Sequence, residues 1–391
     1  MDLEVARRLT GPRGRAALDL ARELGRPDSL ATATRMRAEV DAGLAAAALD
    51  QEAMRATAVA KVGPVGADML WSRDGLEQAT RGPVATWRAQ RLAAAGIERV
   101  IDLGCGCGAD ARACLERGME VSAVEVDPAT AELARHNLPG ATVVCADATE
   151  VAEELLAGAD ARTAVLLDPA RRTGRGRSWR LSDLRPPWSF VADVMARVPT
   201  VVKLGPGVDP DVVPDHACLV HVGQGRDLVE ASVWAGRWGE GRTALLVDDG
   251  SSLPGRTLPP AEGPLASYLA EPHPAAVRAG ALGALAARTA ELGVELASVR
   301  EGIAYLTADA APASPWLTWW RVDDVLDTAL PVLRAWVRDH EIGTLEVKKR
   351  GIDVDPAALR RRLRPRGSRP ATLVLTPTPE GARALVCTRV A

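Results

Sequence analysis

The sequence has few aromatic residues, with one Phe, two Tyr and ten Trp in 391 residues. It also lacks any apolar run of about 18 residues, the length that a membrane-spanning helix needs. The first residues, MDLEVARRLTGPRGR, carry charges where a signal peptide needs an apolar stretch. These absences favour a globular protein of the cytoplasm with no membrane partner.

Metal-binding and disulfide patterns are missing as well. The six cysteines are scattered, without a CxxC pair or a regular framework, which is typical of free thiols in a reducing cytosol. The five histidines lie far apart, and none has a metal-ligand spacing, so no metal site is predicted. The net charge of −3 gives no overall attraction to nucleic acid or membranes, so any basic surface must be local.

The length of 391 residues predicts two or three domains, because it is too great for one ordinary domain, and the changes in composition along the chain favour three. Residues 1–80 are rich in Ala, Arg and Leu, with an apolar spacing that predicts amphipathic helices. Residues 81–250 form the expected second domain. After the Pro/Gly-rich linker SSLPGRTLPPAEGP, residues 265–391 are expected to form a small basic α+β domain.

From residue 99 onward, strand patterns alternate with helix patterns. RVIDLG, EVSAVEVD, ATVVCADA, TAVLLDPA and TVVKLGPG predict strands, and most of the segments between them predict helices. Such alternation indicates βαβ units and a parallel sheet that is covered on both faces. Two later segments, LVEASVWAG and RTALLVDD, are expected to form an antiparallel pair at the sheet edge.

The C-terminal region predicts a different arrangement. Helices are expected at AAVRAGALGALAARTAELG and near VDDVLDTALPVLRAWVRDH. TLEVKKRG and ATLVLTPT predict strands around the basic helix PAALRRRLRPRG. The cluster PWLTWW is expected in the core, because the protein has so few other aromatic residues to fill its interior.

A glycine-rich loop follows the first strand of the α/β region. IDLGCGCGADA, residues 101–111, places Gly104, Gly106 and Gly108 between a strand and a helix. Glycines let the backbone turn sharply and approach a ligand, and the helix N-terminus offers unpaired N–H groups. This spacing alone also fits a dinucleotide site.

Three carboxylates favour a different ligand. Asp102 lies two residues before the first glycine, where a carboxylate can meet the ammonium group of an amino-acid-bearing ligand. Glu125 ends the second strand, in a position to accept hydrogen bonds from ribose hydroxyls. Asp147 follows the third strand, within reach of an adenine amino group.

In these features, residues 99–246 resemble the class I S-adenosylmethionine-dependent methyltransferase family. Its D-x-G-x-G-x-G motif, strand-end acid and later Asp occur here in the same order. The resemblance implies a Rossmann-like, seven-stranded α/β sheet with the last strand antiparallel, and S-adenosyl-L-methionine as the cofactor. The alternative is a Rossmann-like domain that binds another nucleotide or none.

In that family, the residue after the fourth strand faces the transferred methyl group. Asp168 and Pro169 match the first half of the pattern in enzymes that methylate exocyclic amines, which makes them the catalytic candidates. The next two residues, Ala170 and Arg171, depart from that pattern, so this sequence lacks the aromatic residue that the family carries there. Arg171 and Arg172 are expected to bind or stack on a nucleotide. Lys203, near the end of the fifth strand, either faces the substrate or lies on the rim.

The arginine-rich stretch after Asp168 has two interpretations. RRTGRGRSWRLSDLR, residues 171–185, holds six arginines against one acid. It is either a contact surface for single-stranded nucleic acid or a solvated loop. RPPW, residues 185–188, resembles the missing motif but follows no predicted strand, so it is not expected at the methyl group.

A narrower resemblance covers residues 70–391. WSRDGLEQATRGPVATWRA, DPARR, KLGPG, EPHPAAVRAG and LEVKKRG look like a family of bacterial methyltransferase-like proteins with a C-terminal THUMP-like domain. THUMP domains accompany RNA-modifying enzymes, so this resemblance implies an RNA substrate by analogy.

Residues 348–369 supply a basic segment that supports this implication, with nine Lys and Arg residues against two Asp. Lys348, Lys349 and Arg350 are the candidate phosphate contacts in it. The alternative is the solvated face of an ordinary helix.

The sequence therefore predicts an S-adenosylmethionine-dependent methyltransferase that acts on RNA, with the acceptor held near Asp168. Two alternatives remain open. One is a methyltransferase that acts on a small molecule or a protein, and the other is a non-catalytic RNA-binding module that retains the cofactor fold.

Overall fold

The computed structural model describes residues 1–171 and 183–390. The chain divides into two compact units, and the first contains residues 1–219 and 230–240. The second contains residues 220–229 together with residues 241–391. The boundaries predicted near residues 80, 250 and 265 do not coincide with this division, and the three-domain arrangement stays a prediction.

Helices make up the N-terminal part of the first unit, as the apolar spacing predicts. Ser72 caps the fifth helix by accepting a hydrogen bond from the Gly75 N–H at 3.0 Å. Pro83 lies in the first turn of the sixth helix, where its missing N–H costs no intrahelical hydrogen bond. The six helices are α1 (Leu3–Thr10), α2 (Pro12–Leu24), α3 (Leu30–Glu39), α4 (Ala42–Val62), α5 (Arg73–Gln78) and α6 (Gly82–Ala94).

The α/β core follows with the predicted alternation. Its helices are α7 (Ala109–Leu115), α8 (Pro128–Asn137), α9 (Ala148–Leu156) and α10 (Trp188–Arg197). Its strands are β1 (Arg99–Leu103), β2 (Glu120–Glu125), β3 (Thr142–Cys145), β4 (Thr163–Leu167), β5 (Ala170–Arg171), β6 (Leu184–Arg185), β7 (Thr200–Leu204), β8 (Ala217–Gln224), β9 (Asp227–Ala235), β10 (Gly241–Leu246) and β11 (Ser252–Pro254).

The central strands β3, β2, β1, β4 and β7 are parallel neighbours in that order. β9 pairs with β7 in the antiparallel direction, as the family resemblance implies for the last of seven strands. β1 and β4 are buried over almost their whole length, because both faces of a parallel sheet are covered. The Rossmann-like fold is thereby confirmed.

The predicted edge pair of LVEASVWAG with RTALLVDD is wrong. The strand order is β11-β10-β8-β9-β7-β4-β1-β2-β3, so β8 separates the two predicted partners. The prediction missed β8, whose sequence ACLVHVGQ is a short run that no periodicity distinguishes from other buried segments. β11 likewise lies inside the predicted linker and pairs with β10.

The rest of the second unit contains a seven-stranded sheet in the order β13-β14-β12-β15-β18-β17-β16. Its strands are β12 (Tyr268–Pro272), β13 (Ala297–Arg300), β14 (Ile303–Ala308), β15 (Leu317–Asp327), β16 (Ile342–Lys349), β17 (Arg369–Thr378) and β18 (Gly381–Arg389). Its helices are α11 (Pro274–Ala279), α12 (Leu282–Ala290), α13 (Leu330–Asp339) and α14 (Pro356–Leu363).

Several C-terminal predictions are confirmed and two are corrected. β16, α14 and β17 form the expected strand, helix and strand, and Trp316, Trp319 and Trp320 are buried. The helix predicted over AAVRAGALGALAARTAELG is split, because Gly280 ends α11 in the left-handed conformation. VDDVLD belongs to β15, and only the segment after it is helical.

Candidate cofactor and acceptor site

A cavity of about 760 Å³ opens at the carboxyl ends of β1, β2, β3 and β4 in the first unit. Ligands bind at this edge of open α/β sheets, because the loops that follow the strands converge there. The walls come from the glycine loop, from the loops after β2, β3 and β4, and from the segment before α6. The lining residues include Gly104, Cys105, Gly106, Glu125, Val126, Asp127, Asp147, Asp168, Arg185 and Lys203.

The glycine loop turns from β1 into α7 through three left-handed residues. Gly104, Gly106 and Gly108 have φ values of 109°, 56° and 91°, which favour glycine. A Cβ atom at Gly106 would meet no protein atom within 4 Å, so this part of the loop is open. At Gly108, a Cβ atom would approach the Leu138 side chain to 3.0 Å. The missing side chain at Gly106 therefore leaves space for a ligand, whereas the missing side chain at Gly108 lets Leu138 pack against the loop.

Two backbone amides hold the Glu125 carboxylate at the end of β2. It accepts hydrogen bonds from the Gly106 N–H at 3.0 Å and from the Asp127 N–H at 2.8 Å. Burial raises the pKa of Glu125, and these two hydrogen bonds oppose the rise. The neighbouring Val126 is 64% exposed and lines the cavity. The loop thus places a fixed carboxylate beside an apolar surface, a combination that suits a nucleoside.

Asp147 follows β3 and caps α9. Its Oδ1 accepts hydrogen bonds from the Thr149 N–H at 2.8 Å and from the Thr149 hydroxyl at 2.7 Å. These bonds lower the pKa of Asp147, and the positive charge of Arg185 lowers it further. Oδ2 takes no part in the two bonds, so the capping carboxylate keeps an oxygen for a ligand.

Asp168, directly after β4, forms an ion pair with Lys203 of β7. Lys203 Nζ lies 2.5 Å from Asp168 Oδ2 and 3.0 Å from Asp110 Oδ2. The lysine side chain is 13% exposed, whereas that of Asp168 is 45% exposed. Burial alone would lower the pKa of Lys203, but the two carboxylates outweigh it and raise the pKa. Lys203 is therefore a fixed cation that holds an accessible carboxylate.

A second buried cation extends this charged cluster. Arg88 of α6 is 1% exposed, and its guanidinium pairs with Asp110 and Glu230. Thr80 donates a hydrogen bond to Asp110 Oδ2 at 2.6 Å. Burial acts to raise the pKa of Asp110, but Arg88 and Lys203 outweigh it and hold the pKa well below its ordinary value. These ion pairs join α6, α7, β7 and β9 around the acceptor side of the cavity.

Comparisons with known proteins match three parts of the chain. A methyltransferase domain matches residues 101–158, and a THUMP domain-like family matches residues 317–389. Residues 2–58 match a domain of unknown function. An uncharacterized S-adenosylmethionine-dependent methyltransferase of Mycobacterium tuberculosis, present in two strains, is 32% identical over 315 residues. The match covers 78% of this chain and 84% of that protein.

The chain belongs to the S-adenosylmethionine-dependent methyltransferases. S-adenosyl-L-methionine is its cofactor, and a THUMP-like domain lies at its C-terminus. A predicted methyltransferase from Porphyromonas gingivalis W83 has a similar solved structure, with a TM-score of 0.74 and 19% identity over 96% of this chain and 98% of that one. That likeness supports the fold over almost the whole length.

Asp102 of this chain is buried next to the cavity without lining it. It is 3% exposed and, like Gly108, is not among the residues that line the cavity. Burial and the negative charge of Asp110 raise the pKa of Asp102 to about 8. The predicted contact of Asp102 with the amino group of the cofactor therefore stays a prediction.

One wall of the cavity was not found by sequence analysis. The Gln51 side chain pairs with the Trp71 backbone through hydrogen bonds of 2.7 and 2.9 Å. Asn137 pairs with the Leu70 backbone at 2.7 and 2.8 Å and also donates to the Cys107 carbonyl at 2.9 Å. These buried amides fix the segment before α6 against the glycine loop. The segment contributes Trp71, Ser72, Asp74, Gly75, Gln78, Ala79 and Thr80 to the lining.

Residues 185–187 line the same cavity as Asp168, and the expectation that RPPW does not lie at the methyl group stays a prediction. The short strand β6 precedes them and pairs with β5, which follows Asp168. A two-residue strand is too short for a sequence pattern to reveal. Trp188 begins α10 and packs into the core of the sheet.

The other acceptor candidates have different outcomes. Pro169 is buried next to Asp168 and is not part of the cavity lining. Arg171 ends β5, and Arg172 lies outside the described residues. Lys203 does line the cavity, but its ammonium group contacts carboxylates. The substrate roles of these residues stay predictions.

Two of the three candidate phosphate contacts in the second unit have intramolecular partners. Lys348 pairs with Glu271, and its Nζ lies 4.7 Å from the centre of the Trp320 ring. Arg350 lies over a tyrosine ring at 4.8 Å and within 4.0 Å of Glu271. Lys349 is exposed, because successive side chains of β16 point to opposite faces.

Exposed arginines cluster instead on α14 and in the loop that follows it. Leu359 and Leu363 bury one face of α14 against the sheet, which leaves the basic face in solvent. No ion pair to a carboxylate joins the clustered arginines in the parts of the chain that the structure describes. They are Arg360, Arg361, Arg362, Arg364, Arg366 and Arg369.

Residues 1–171 and 183–390 contain neither a membrane-spanning helix nor a cluster of metal-ligating side chains. No helix there is long and apolar enough to cross a bilayer. No group of His, Cys, Asp or Glu side chains in those ranges has the arrangement of a metal site.

Proposed function

We propose that this methyltransferase transfers a methyl group to RNA and holds the acceptor nucleotide at Asp168. The observation that carries the RNA assignment is the cluster of six exposed arginines from residue 360 to residue 369, which have no carboxylate partner among the described residues. Such guanidinium groups attract phosphates, and their contacts release counterions. The THUMP domain-like match of the same region supports RNA by analogy.

The cavity fits S-adenosyl-L-methionine. Gly104 and Gly106 would let the cofactor approach the backbone, because the space above Gly106 is open. The oriented Glu125 carboxylate would accept hydrogen bonds from the ribose hydroxyls. Val126 would contact the adenine ring, and Oδ2 of Asp147 would accept a hydrogen bond from the adenine amino group.

A matched pair of glycine variants tests this placement. Gly106→Ala and Gly118→Ala both put a Cβ atom at positive φ, 56° and 78°, with no protein atom within 4 Å. The backbone strain is therefore similar, but only Gly106 lines the cavity. Calorimetric titration with S-adenosylhomocysteine is expected to give roughly tenfold weaker binding for G106A and an unchanged Kd for G118A. Equal dissociation constants would refute the placement.

On the acceptor side of the cavity, the main role of the protein is to position the acceptor group. When bound, S-adenosyl-L-methionine supplies a methyl group on an electrophilic sulfonium, so rate depends on holding the acceptor in line. Lys203 engages Oδ2 of Asp168, and Oδ1 would accept a hydrogen bond or the proton of the acceptor group. Arg171 and Arg172 would bind or stack on the nucleotide that carries this group.

The RNA assignment is tested with labelled cofactor. Incubation with methyl-tritiated S-adenosyl-L-methionine and bulk cellular RNA, followed by nuclease digestion, is expected to yield label in a modified nucleotide. Asp168→Asn keeps the size of the side chain but removes its charge, and is expected to reduce labelling at least about a hundredfold with unchanged affinity for S-adenosylhomocysteine.

Each part of the proposal has its own contrary outcome. Full turnover by D168N would refute the role of Asp168. Label that enters only protein or small molecules would refute the RNA substrate and would favour the other class of acceptor.

A further inference from the structure

A second cavity, of about 220 Å³, lies among α2, α4, the end of α8 and the 3-10 turn Pro64–Ala67 in the first unit. Its wall shares Trp71 with the cofactor cavity. Basic side chains outnumber acidic ones in its lining, which favours an anionic ligand. The charged lining residues are Arg15, Arg22, Arg55 and His136, with Asp19 and Asp68.

Two of the arginines are fixed by the turn. Arg22 donates to the Ala67 carbonyl at 3.1 Å and lies 3.4 Å from the Asp68 carboxylate. Arg55 donates to the same carbonyl and pairs with Glu52 at 2.5 Å. The side chains of Arg55 and Glu52 are 20% and 15% exposed. The charge of Arg55 is therefore neutralised by the partly buried Glu52, whereas the carboxylate that pairs with Arg22 is the exposed Asp68.

Arg15 and His136 have no such neutralisation. Arg15 donates to the Thr10 carbonyl at 2.8 Å and has no carboxylate partner within the described ranges. The His136 ring likewise makes no hydrogen bond there. Burial lowers the pKa of His136, and the positive charge of Arg15 lowers it further. Arg15 and His136 thus bring two basic groups without a carboxylate partner among the described residues to the wall of one cavity.

We propose that this cavity binds a phosphate group between Arg15, Arg22 and His136, and that the group is a phosphodiester of the RNA substrate. A guanidinium offers paired N–H donors that match two phosphate oxygens, and an imidazolium adds a third donor. The phosphate charge would relieve the repulsion between Arg15 and His136. The choice of a phosphodiester rests on the proposed RNA function, but the phosphate site itself does not.

The test is an NMR titration of the His136 ring in the full chain, with the signal assigned by its loss in His136→Gln. Inorganic phosphate is expected to raise the pKa of His136 by about one unit, since a bound anion favours the protonated ring. Arg15→Gln is expected to raise the pKa of His136 in phosphate-free buffer and to abolish the response to phosphate.

Arg13→Gln is the matched control, because Arg13 is exposed on the same helix and does not line the cavity. It is expected to leave both the pKa of His136 and its response to phosphate unchanged. A missing response in the unaltered chain, or an equal response in R15Q, would overturn the phosphate site.

Oligonucleotides decide the source of the phosphate. A short single-stranded oligoribonucleotide is expected to raise the pKa of His136, and a methylphosphonate version with a neutral backbone is expected not to. RNA that binds the chain without moving His136 would overturn the phosphodiester assignment. If inorganic phosphate moves His136 but RNA does not bind at all, the proposed RNA function fails while the phosphate site stands.

Discussion

The two units of the molecule use arginine in opposite ways. In the first unit, Arg88 is 1% exposed and its guanidinium is enclosed by Asp110 and Glu230. In the second unit, the arginines from residue 360 to residue 369 are exposed and make no ion pair with the described carboxylates. The buried cation fixes the wall of a site, whereas the exposed cluster leaves its charge available to a ligand.

This contrast shows why a count of basic residues does not locate a binding surface. Lys348 and Arg350 belong to the most basic stretch of the sequence, yet Glu271 and aromatic rings hold them. The arginines of α14 lie only ten residues later and make no ion pair with a carboxylate in the described part of the chain. What matters is whether the fold brings a carboxylate to each cation.

The largest expected effect comes from removing the buried cation. Arg88→Met leaves Glu230 buried without its ion-pair partner and Asp110 with Lys203 alone, so the free energy of unfolding is expected to fall by about 3–5 kcal/mol. Urea unfolding followed by circular dichroism measures this change. Arg197→Met is the control, because Arg197 is an exposed arginine that also pairs with two carboxylates. Similar losses of unfolding free energy in both variants would contradict the idea that burial makes the Arg88 ion pairs more important than the exposed pairs of Arg197.

The next effect concerns Asp102, the buried acid near this cluster. Its folded-state pKa of about 8 lies above the ordinary value of 3.8. Stability from such an acid is fully present below about pH 4 and is lost as the pH rises through 8, because the folded state must then bury a charge. Relative to Asp102→Asn, the unaltered chain is expected to lose roughly 3–4 kcal/mol of unfolding free energy between about pH 5 and pH 8. Parallel pH profiles for the two proteins would contradict the raised pKa.

The exposed cluster is tested through the salt dependence of RNA binding. A triple variant, Arg360→Gln, Arg361→Gln and Arg362→Gln, is expected to reduce the slope of log K against log salt by about 2, since each phosphate contact on a single strand contributes about 0.7.

The control triple removes the same charge from arginines of the second unit that are exposed but paired with acids. It changes Arg300, Arg321 and Arg338 to Gln. Its slope is expected to stay close to that of the unaltered chain, and an equal reduction in both triples would erase the distinction between free and paired arginines.

The sequence predicts the α/β core well because its signals are local. Buried parallel strands form apolar runs, and each ends where a loop lines the cavity, which is why Gly106, Glu125, Asp147 and Asp168 converge as expected. β8 was missed because ACLVHVGQ is a short run that no periodicity distinguishes from other buried segments.

The parts of the site that were not predicted depend on contacts between distant segments. Arg88 and Glu230 are 142 residues apart, and Asn137 reaches back 67 residues to Leu70. Single polar residues in helices carry no signal of such partners. Asp102 and Gly108 also fit the motif, although neither is among the residues that line the cavity.

The smallest effect separates neighbouring lysines in the basic stretch. Lys348→Gln leaves the Glu271 carboxylate, 21% exposed, with only the longer contact to Arg350, and the free energy of unfolding is expected to fall by about 1 kcal/mol. RNA affinity is expected to change less than about twofold, because this ammonium group is already engaged. Lys349→Gln is expected to do the reverse, with unchanged unfolding and a weaker RNA complex. If K348Q weakened RNA binding more than K349Q, the internal ion pair would open for phosphate, and the contrast between paired and free cations would no longer locate the RNA surface.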